Sequence, residues 1–244
     1  MAALKRSTGS GTGNWTSVPN GTKVKRSTGS GTGNWSNPKH VWYSTGSGTG
    51  NWVKTWSKSD PVTYSFYATN SGSWRPSGWR SSNECRVGSY GYGDHICVMD
   101  FTADTDDTTG ITLATAIAAR PTCTSLSVAV FRMSGSGAST TATGSGESWY
   151  MGQYDGTIGS GDADDSINTT NMTTFATGAD SWGSNVARAF TLNTSLASAL
   201  STKELWIANR TSSFSSDGGT DATYSALAPH TNAFKALITV TLDY

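Results

Sequence analysis

The chain has 244 residues and lacks any run of about eighteen apolar residues, which excludes a membrane-spanning helix. Its first residues, Met-Ala-Ala-Leu-Lys-Arg, contain no apolar core of the kind a secretion signal needs, so synthesis in a reducing cytoplasm is expected. Charged residues make up only 14% of the chain, yet 11% is aromatic, and that excludes ordinary disorder. Helix formers are scarce. Cysteine is limited to Cys85, Cys97 and Cys123, without a Cys-x-x-Cys pair or histidines at ligand spacing, so a zinc site is not expected. Cys97 lies in an apolar strand pattern and reads as a buried thiol.

Catalytic groups are equally sparse. The histidines are His40, His95 and His230, and none stands beside a nucleophile motif. The only glutamates are Glu84, Glu147 and Glu204. A glycosidase would need two carboxyls at fixed separation across a groove, which a sequence cannot display. No enzymatic activity and no cofactor are expected. Two acidic clusters occur, Asp104, Asp106 and Asp107, then Asp162, Asp164 and Asp165. Calcium favours such oxygen-rich loops, but neither cluster forms a full EF-hand pattern, and both read as solvated turns.

What is present in abundance is Gly, Ser, Thr, Trp and Tyr, the composition of short strands and many turns. One nonapeptide, Ser-Thr-Gly-Ser-Gly-Thr-Gly-Asn-Trp, occurs unchanged at residues 7–15, 27–35 and 44–52. It ends each time in its one large apolar group, Trp15, Trp35 or Trp52. It offers hydroxyls and amides but no base or metal ligand, so it reads as architecture. It is Gly-rich without the Lys-Ser/Thr of a phosphate loop, and it reads as a turn. The flanks give strand, Gly-rich loop, Trp-led strand and tight turn, with Asn20-Gly21 a hairpin signal. A small antiparallel meander with its Trp side chains in a row is the expectation.

Charge divides the chain at the same place. Residues 1–59 hold eight Lys or Arg and no Asp or Glu; residues 60–244 hold nine against seventeen. Either the two ends meet different surfaces, or the Lys and Arg keep Trp-bearing strands soluble. The basic residues are spread along strands instead of massed, so nucleic acid is not the expected partner. Composition, charge sign and repeat all change at Asp60-Pro61. Two parts follow: 1–59, a basic repeat region, and 60–244, a separate domain.

In the second part, residues 62–68 alternate, with Val62, Tyr64 and Phe66 on one face. Residues 70–83 read as a loop and 85–88 as a short strand. Residues 94–101 form the clearest central strand, with Ile96 and Val98 on one face and Cys97, Met99 and Phe101 on the other. Apolar residues on both faces imply burial on both sides. Residues 111–119 are apolar without a clean period, and strand and short helix both fit. Further strands are expected at 125–133, 149–153, 167–175, 186–192 and 203–208, with a helical turn at 196–200. Residues 211–229 read as loop. The closing strand, 235–244, points Ala236, Ile238, Val240, Leu242 and Tyr244 inward. Strands at this spacing predict an all-β fold, a β-sandwich or jelly roll behind the small repeat meander.

Trp74, Trp79, Tyr90, Tyr92 and Trp149 fall in expected loops or strand ends. With Arg75 and Arg80 they would suit sugar stacking or protein contacts, or they plug the sandwich ends or a subunit interface.

The strand Asp94-His95-Ile96-Cys97-Val98-Met99-Asp100-Phe101 resembles the central strand of jelly-roll modules in tailed-bacteriophage virion proteins. Ser125-Leu126-Ser127-Val128, Lys203-Glu204-Leu205-Trp206-Ile207 and Ala236-Leu237-Ile238-Thr239-Val240-Thr241 follow in the same order. These modules are similar in plan to some carbohydrate-binding jelly rolls, and the resemblance spans roughly residues 62–244. The repeat resembles the Trp-punctuated, Gly-rich repeats of phage tail and fibre proteins. The resemblance implies a virion structural protein, a fibre, appendage or decoration protein, often a homotrimer. Its partners would be other virion proteins, with a host-surface glycan as a further candidate. It transfers no site residue.

Overall fold

The computed structural model describes residues 5–7, 15–17, 26–27, 35–36, 40–44, 52–57, 60–80, 85–89, 93–133, 148–161, 163–176, 185–209 and 223–244. The chain divides into two compact units, residues 1–60 with Tyr244, and residues 61–243.

In the first unit the strands pair as hairpins. β1 (Lys5–Ser7) pairs with β2 (Trp15–Ser17), β3 (Arg26–Ser27) with β4 (Trp35–Ser36), and β5 (His40–Ser44) with β6 (Trp52–Ser57). The register is the same in all three: Ser7 opposes Trp15, Ser27 opposes Trp35, and Ser44 opposes Trp52. The first and last residues of every nonapeptide therefore close the same pair. This corrects the expected meander: among the described residues each hairpin is its own two-stranded sheet. Whether the Trp side chains form a row lies outside the described residues.

The second unit packs two antiparallel sheets. The smaller has the order β15 (Ala187–Thr191), β12 (Thr122–Phe131), β18 (Leu237–Asp243), β7 (Val62–Tyr67). Its period-two alternation puts one face inward. Tyr64, Val240 and Leu126 lie in register across three strands, and Phe66, Ile238, Val128 and Phe190 across four. All are buried. The opposite face carries polar pairs such as Thr63 Oγ1 with Thr241 Oγ1 at 2.9 Å.

The larger sheet has eight strands along the path β14 (Thr173–Ala176), β13 (Ser148–Tyr154), β16 (Glu204–Ala208), β11 (Asp94–Asp100), β10 (Cys85–Ser89), β17 (Thr223–Leu227). The edge of β11 away from β16 is shared. β10 pairs with its residues 94–95, and β8 (Asn70–Arg75), which carries β9 (Gly78–Arg80), pairs with residues 96–100. Two short helices, α1 (Leu113–Ala119) and α2 (Leu196–Leu200), pack on each other and add Leu113, Ala116, Leu196 and Leu200 to the core. The Thr112 hydroxyl caps α1 by accepting from the backbone N–H of Thr115 at 3.3 Å.

Several expectations change. Residues 70–80 are a hairpin, not a loop. Residues 223–227 are a strand within the expected 211–229 loop. The expected strand at 167–175 is reduced to β14. Tyr244, expected inward, is 47% exposed. Of residues 111–119, 113–119 form the helix α1.

The first acidic cluster is not a solvated turn. β7 is an edge strand, and its outward N–H groups at Ser65 and Tyr67 donate to Asp106 Oδ2 at 2.9 Å and Asp104 Oδ2 at 2.6 Å. Asp106 also accepts from the backbone N–H groups of Thr108 and Thr109 and from the Thr109 hydroxyl. Burial alone would raise its pKa. The bonds from Ser65, Thr109 and Thr108 outweigh that and hold it below the ordinary carboxylate value. The two carboxylates occupy donors that another strand would otherwise pair with. Replacing both, Asp104→Ala with Asp106→Ala, is expected to cost about 1–3 kcal/mol in urea unfolding and to give concentration-dependent association in sedimentation. Unchanged stability and sedimentation would remove the capping role.

Candidate functional site

The outer face of the larger sheet carries the densest aromatic group. Trp74, Ile96, Val98, Tyr154, Trp206 and Ala208 form a second buried cluster there, with Trp79 and Tyr150 against it. Ile96 and Val98 are the alternate positions of β11, whose other face feeds the main core through Cys97 and Met99. Residues 155–172, joining β13 to β14, lie over this face and contribute Ile158, Ala163, Ile167 and Met172.

Two indoles pin that covering segment. Trp79 Nε1 donates to Ser160 O at 2.7 Å, and Trp206 Nε1 donates to Asn168 O at 3.1 Å. The segment returns to β13 through Asp155 N–H to Ser166 O and Asn168 N–H to Gln153 O. Asp155 accepts from the side-chain amides of Gln153 and Asn168. Room beneath the rings comes from glycine. A Cβ at Gly72 would sit 2.9 Å from Ile158 Cγ2, and one at Gly152 2.9 Å from Trp206 Nε1.

The residues singled out from the sequence separate accordingly. Trp74 is 4% exposed and Trp149 1%. Trp74 belongs to the outer cluster. Trp149 lies in the main core, stacked on Phe190 with centroids 6.0 Å apart. Both lie next to strand ends, Trp74 in β8 and Trp149 in β13. Trp79 is half-buried and meets Tyr154 edge-on at 6.1 Å. Trp15, Trp35 and Trp52 each open the second strand of a hairpin, and their side chains lie outside the described residues, as do Tyr90 and Tyr92.

Beside the aromatic layer four strands bring basic groups together: Arg75 from β8, Arg80 from β9, Arg86 from β10 and His95 from β11. His95 is fully buried, and its Nδ1–H donates to Gly93 O at 2.9 Å. Burial chiefly pushes its pKa from 6.5 down to about 4; the bond to Gly93 opposes this, and the charges of Arg86, Arg80 and Arg75 add to it. The imidazole is neutral at physiological pH. Arg75 and Arg80 were visible in the sequence beside their tryptophans. Arg86 and His95 were not singled out, although a polar residue inside an otherwise buried strand is a usable signal.

Folding also pairs Ser71 with His230, 159 positions apart. Ser71 Oγ lies 2.9 Å from His230 Nδ1 and accepts from the His230 backbone N–H at 3.1 Å. Neither residue stands beside a nucleophile motif in the sequence, and the pairing was not foreseen. Ser71 has no exposed surface, and the pair ties the 229–232 turn to β8. A cleft of about 350 Å³ between α1, α2 and the ends of β12 and β18 is lined by Ile117, Pro121, Cys123, Ser198 and Leu242 among others. Among the described residues no group of three His, Cys, Asp or Glu is placed to hold a metal.

No protein-family model matches the chain, and no curated protein matches it in sequence.

His95 gives a pH signature. Its folded pKa of about 4 lies below the unfolded value of 6.5, so between these the unfolded chain binds a proton that the folded chain does not. Stability should therefore fall by up to about 3 kcal/mol as pH drops from 6.5 to 4, a loss absent at neutral pH. Asp106, whose folded pKa is below the ordinary carboxylate value, holds its contribution until the pH falls further. Urea unfolding across this window measures the slope, and His95→Asn should flatten it.

Proposed function

We propose that this chain is a non-enzymatic structural subunit of a tailed-bacteriophage virion, a tail fibre or tail-tip appendage, attached through its repeat region. The observation that carries the reading is the thrice-repeated hairpin of identical register in a segment with eight positive charges and no negative one. Strands of two to six residues bury little by themselves. Such hairpins gain stability from other surfaces, and a positive arm is steered toward an acidic one. The subunit is proposed to be a homotrimer in which the hairpins of several chains support one another.

The sandwich is proposed to be a jelly roll. In the smaller sheet no two neighbouring strands are consecutive in sequence, and its first and last members in the chain, β7 and β18, lie side by side. That wiring fits a jelly roll, in which the chain passes repeatedly between sheets. A capsid position, as a decoration protein or head fibre, uses the same attachment chemistry. A labelled antibody on intact particles separates the two positions.

The test compares the full chain with one beginning at Asp60, each added to particles that lack the protein. The full chain should join, more slowly as salt rises, because rim charges mainly set the on-rate. The shortened chain should stay soluble and β-rich but remain unattached. Normal incorporation of the shortened chain would remove the attachment role of residues 1–59. Failure of both to join would remove the virion reading.

A further inference from the structure

Of the six prolines, Pro19, Pro38, Pro61, Pro76, Pro121 and Pro229, only Pro61 follows an aspartate. That one Asp-Pro bond lies where the chain passes from the first compact unit, which Asp60 closes, to the second, which Pro61 opens. Both residues are exposed and stand outside any strand. β7 begins one residue later, at Val62, which is paired with Leu242 of β18. Pro61 has no N–H with which to extend that ladder. Exposed boundaries between units are where a chain is most readily cut.

We infer that the Asp60–Pro61 bond is an acid-triggered self-cleavage site, cut in the folded protein with the sandwich left whole. The Asp60 side-chain carboxylate attacks its own backbone carbonyl carbon and closes a five-membered anhydride ring. The attack is favoured because both groups belong to one residue. The Pro61 nitrogen takes a proton from the acidic solvent and leaves with the electron pair of the broken C–N bond. As the nitrogen of a tertiary amide it accepts that proton more readily than an ordinary peptide nitrogen. Water then adds to the anhydride and gives two carboxylic acids, the Asp60 side chain and a new α-carboxyl. Pro61 becomes a free secondary amine. One water is consumed, and nothing is oxidised or reduced. The ring closes only if side chain and backbone of one residue can turn toward each other, which an exposed residue ahead of a strand can do. The cut falls outside both sheets, so residues 61–244 keep every strand of the sandwich. Where residues 1–59 hold the protein on a particle, as proposed above, acid would free the sandwich from its arm; the cleavage itself does not rest on that reading.

The test incubates the full chain at the lowest pH at which circular dichroism still shows the β-rich fold, beside samples at neutral pH and at the same acid pH in urea. Expected by mass spectrometry are residues 1–60 and residues 61–244, whose summed masses exceed the parent by one water. The larger product should begin Pro61-Val62-Thr63 and remain β-rich. The folded chain should be cut as fast as the unfolded one in acid, and the neutral sample should stay intact. Asp60→Glu needs a larger ring, and Pro61→Ala restores an ordinary peptide nitrogen. Both should stay intact over the time in which half of the parent is cut. A folded chain left intact or cut elsewhere, cutting much slower in the folded chain than in urea, or equal cutting of either variant overturns the inference. No particle is involved, so the outcome is independent of whether residues 1–59 attach the protein.

Discussion

The structure of the second unit depends on one strand that cannot face water on either side. β11 presents Cys97 and Met99 to one face and Ile96 and Val98 to the other, all at most 1% exposed. A sheet built around such a strand needs two covers. The smaller sheet is one, matching the inward residues of β12, β18 and β7. Among the described residues the other is not a third sheet but residues 155–172, which contribute Ile158, Ala163, Ile167 and Met172. Two indole N–H groups therefore hold it by its carbonyls, and glycines at positions 72 and 152 leave the rings space. The large rings Trp74, Tyr154 and Trp206 are packed into this layer.

The polar groups follow the same economy of burial. The N–H groups of the β7 edge are taken by two aspartates instead of by a neighbouring strand. His95 is kept neutral at the junction of β10 and β11, where three arginines raise the local potential. The edge N–H groups are satisfied by residues distant in sequence, whereas His95 bonds to Gly93, two positions back.

That distance explains what could be read from the sequence and what could not. β12 and β18 were legible because each alternates apolar residues with period two, and β11 because its apolar residues run on both faces; a change of composition was visible near Asp60. The β8–β9 hairpin was missed because Gly, Ser, Trp and Arg look like loop. Its signal was the turn sequence Pro76-Ser77-Gly78 between Trp74 and Trp79, which pair across it, with Gly78 at φ +115° where other residues are strained. Tyr244 was misplaced because alternation was carried one residue past the end of β18. Trp74 and Trp149 were placed in loops or strand ends because nothing local reveals that one belongs to a second buried layer and the other to the main core. The roles of Asp104 and Asp106 depend on a strand some forty positions upstream, and Ser71 with His230 on a still longer separation.

The self-closing hairpins make repeat number a property independent of the sandwich. Each nonapeptide brings both members of its own closing pair, so no hairpin borrows a strand from the next among the described residues. The spacers already differ, since the copies start 20 and 17 residues apart. In-frame duplication or loss of one copy, a frequent event in near-identical coding repeats, would lengthen or shorten the segment without disturbing any pairing that remains. Gene length would then set reach and valency directly, like beads on a string counted by replication slippage.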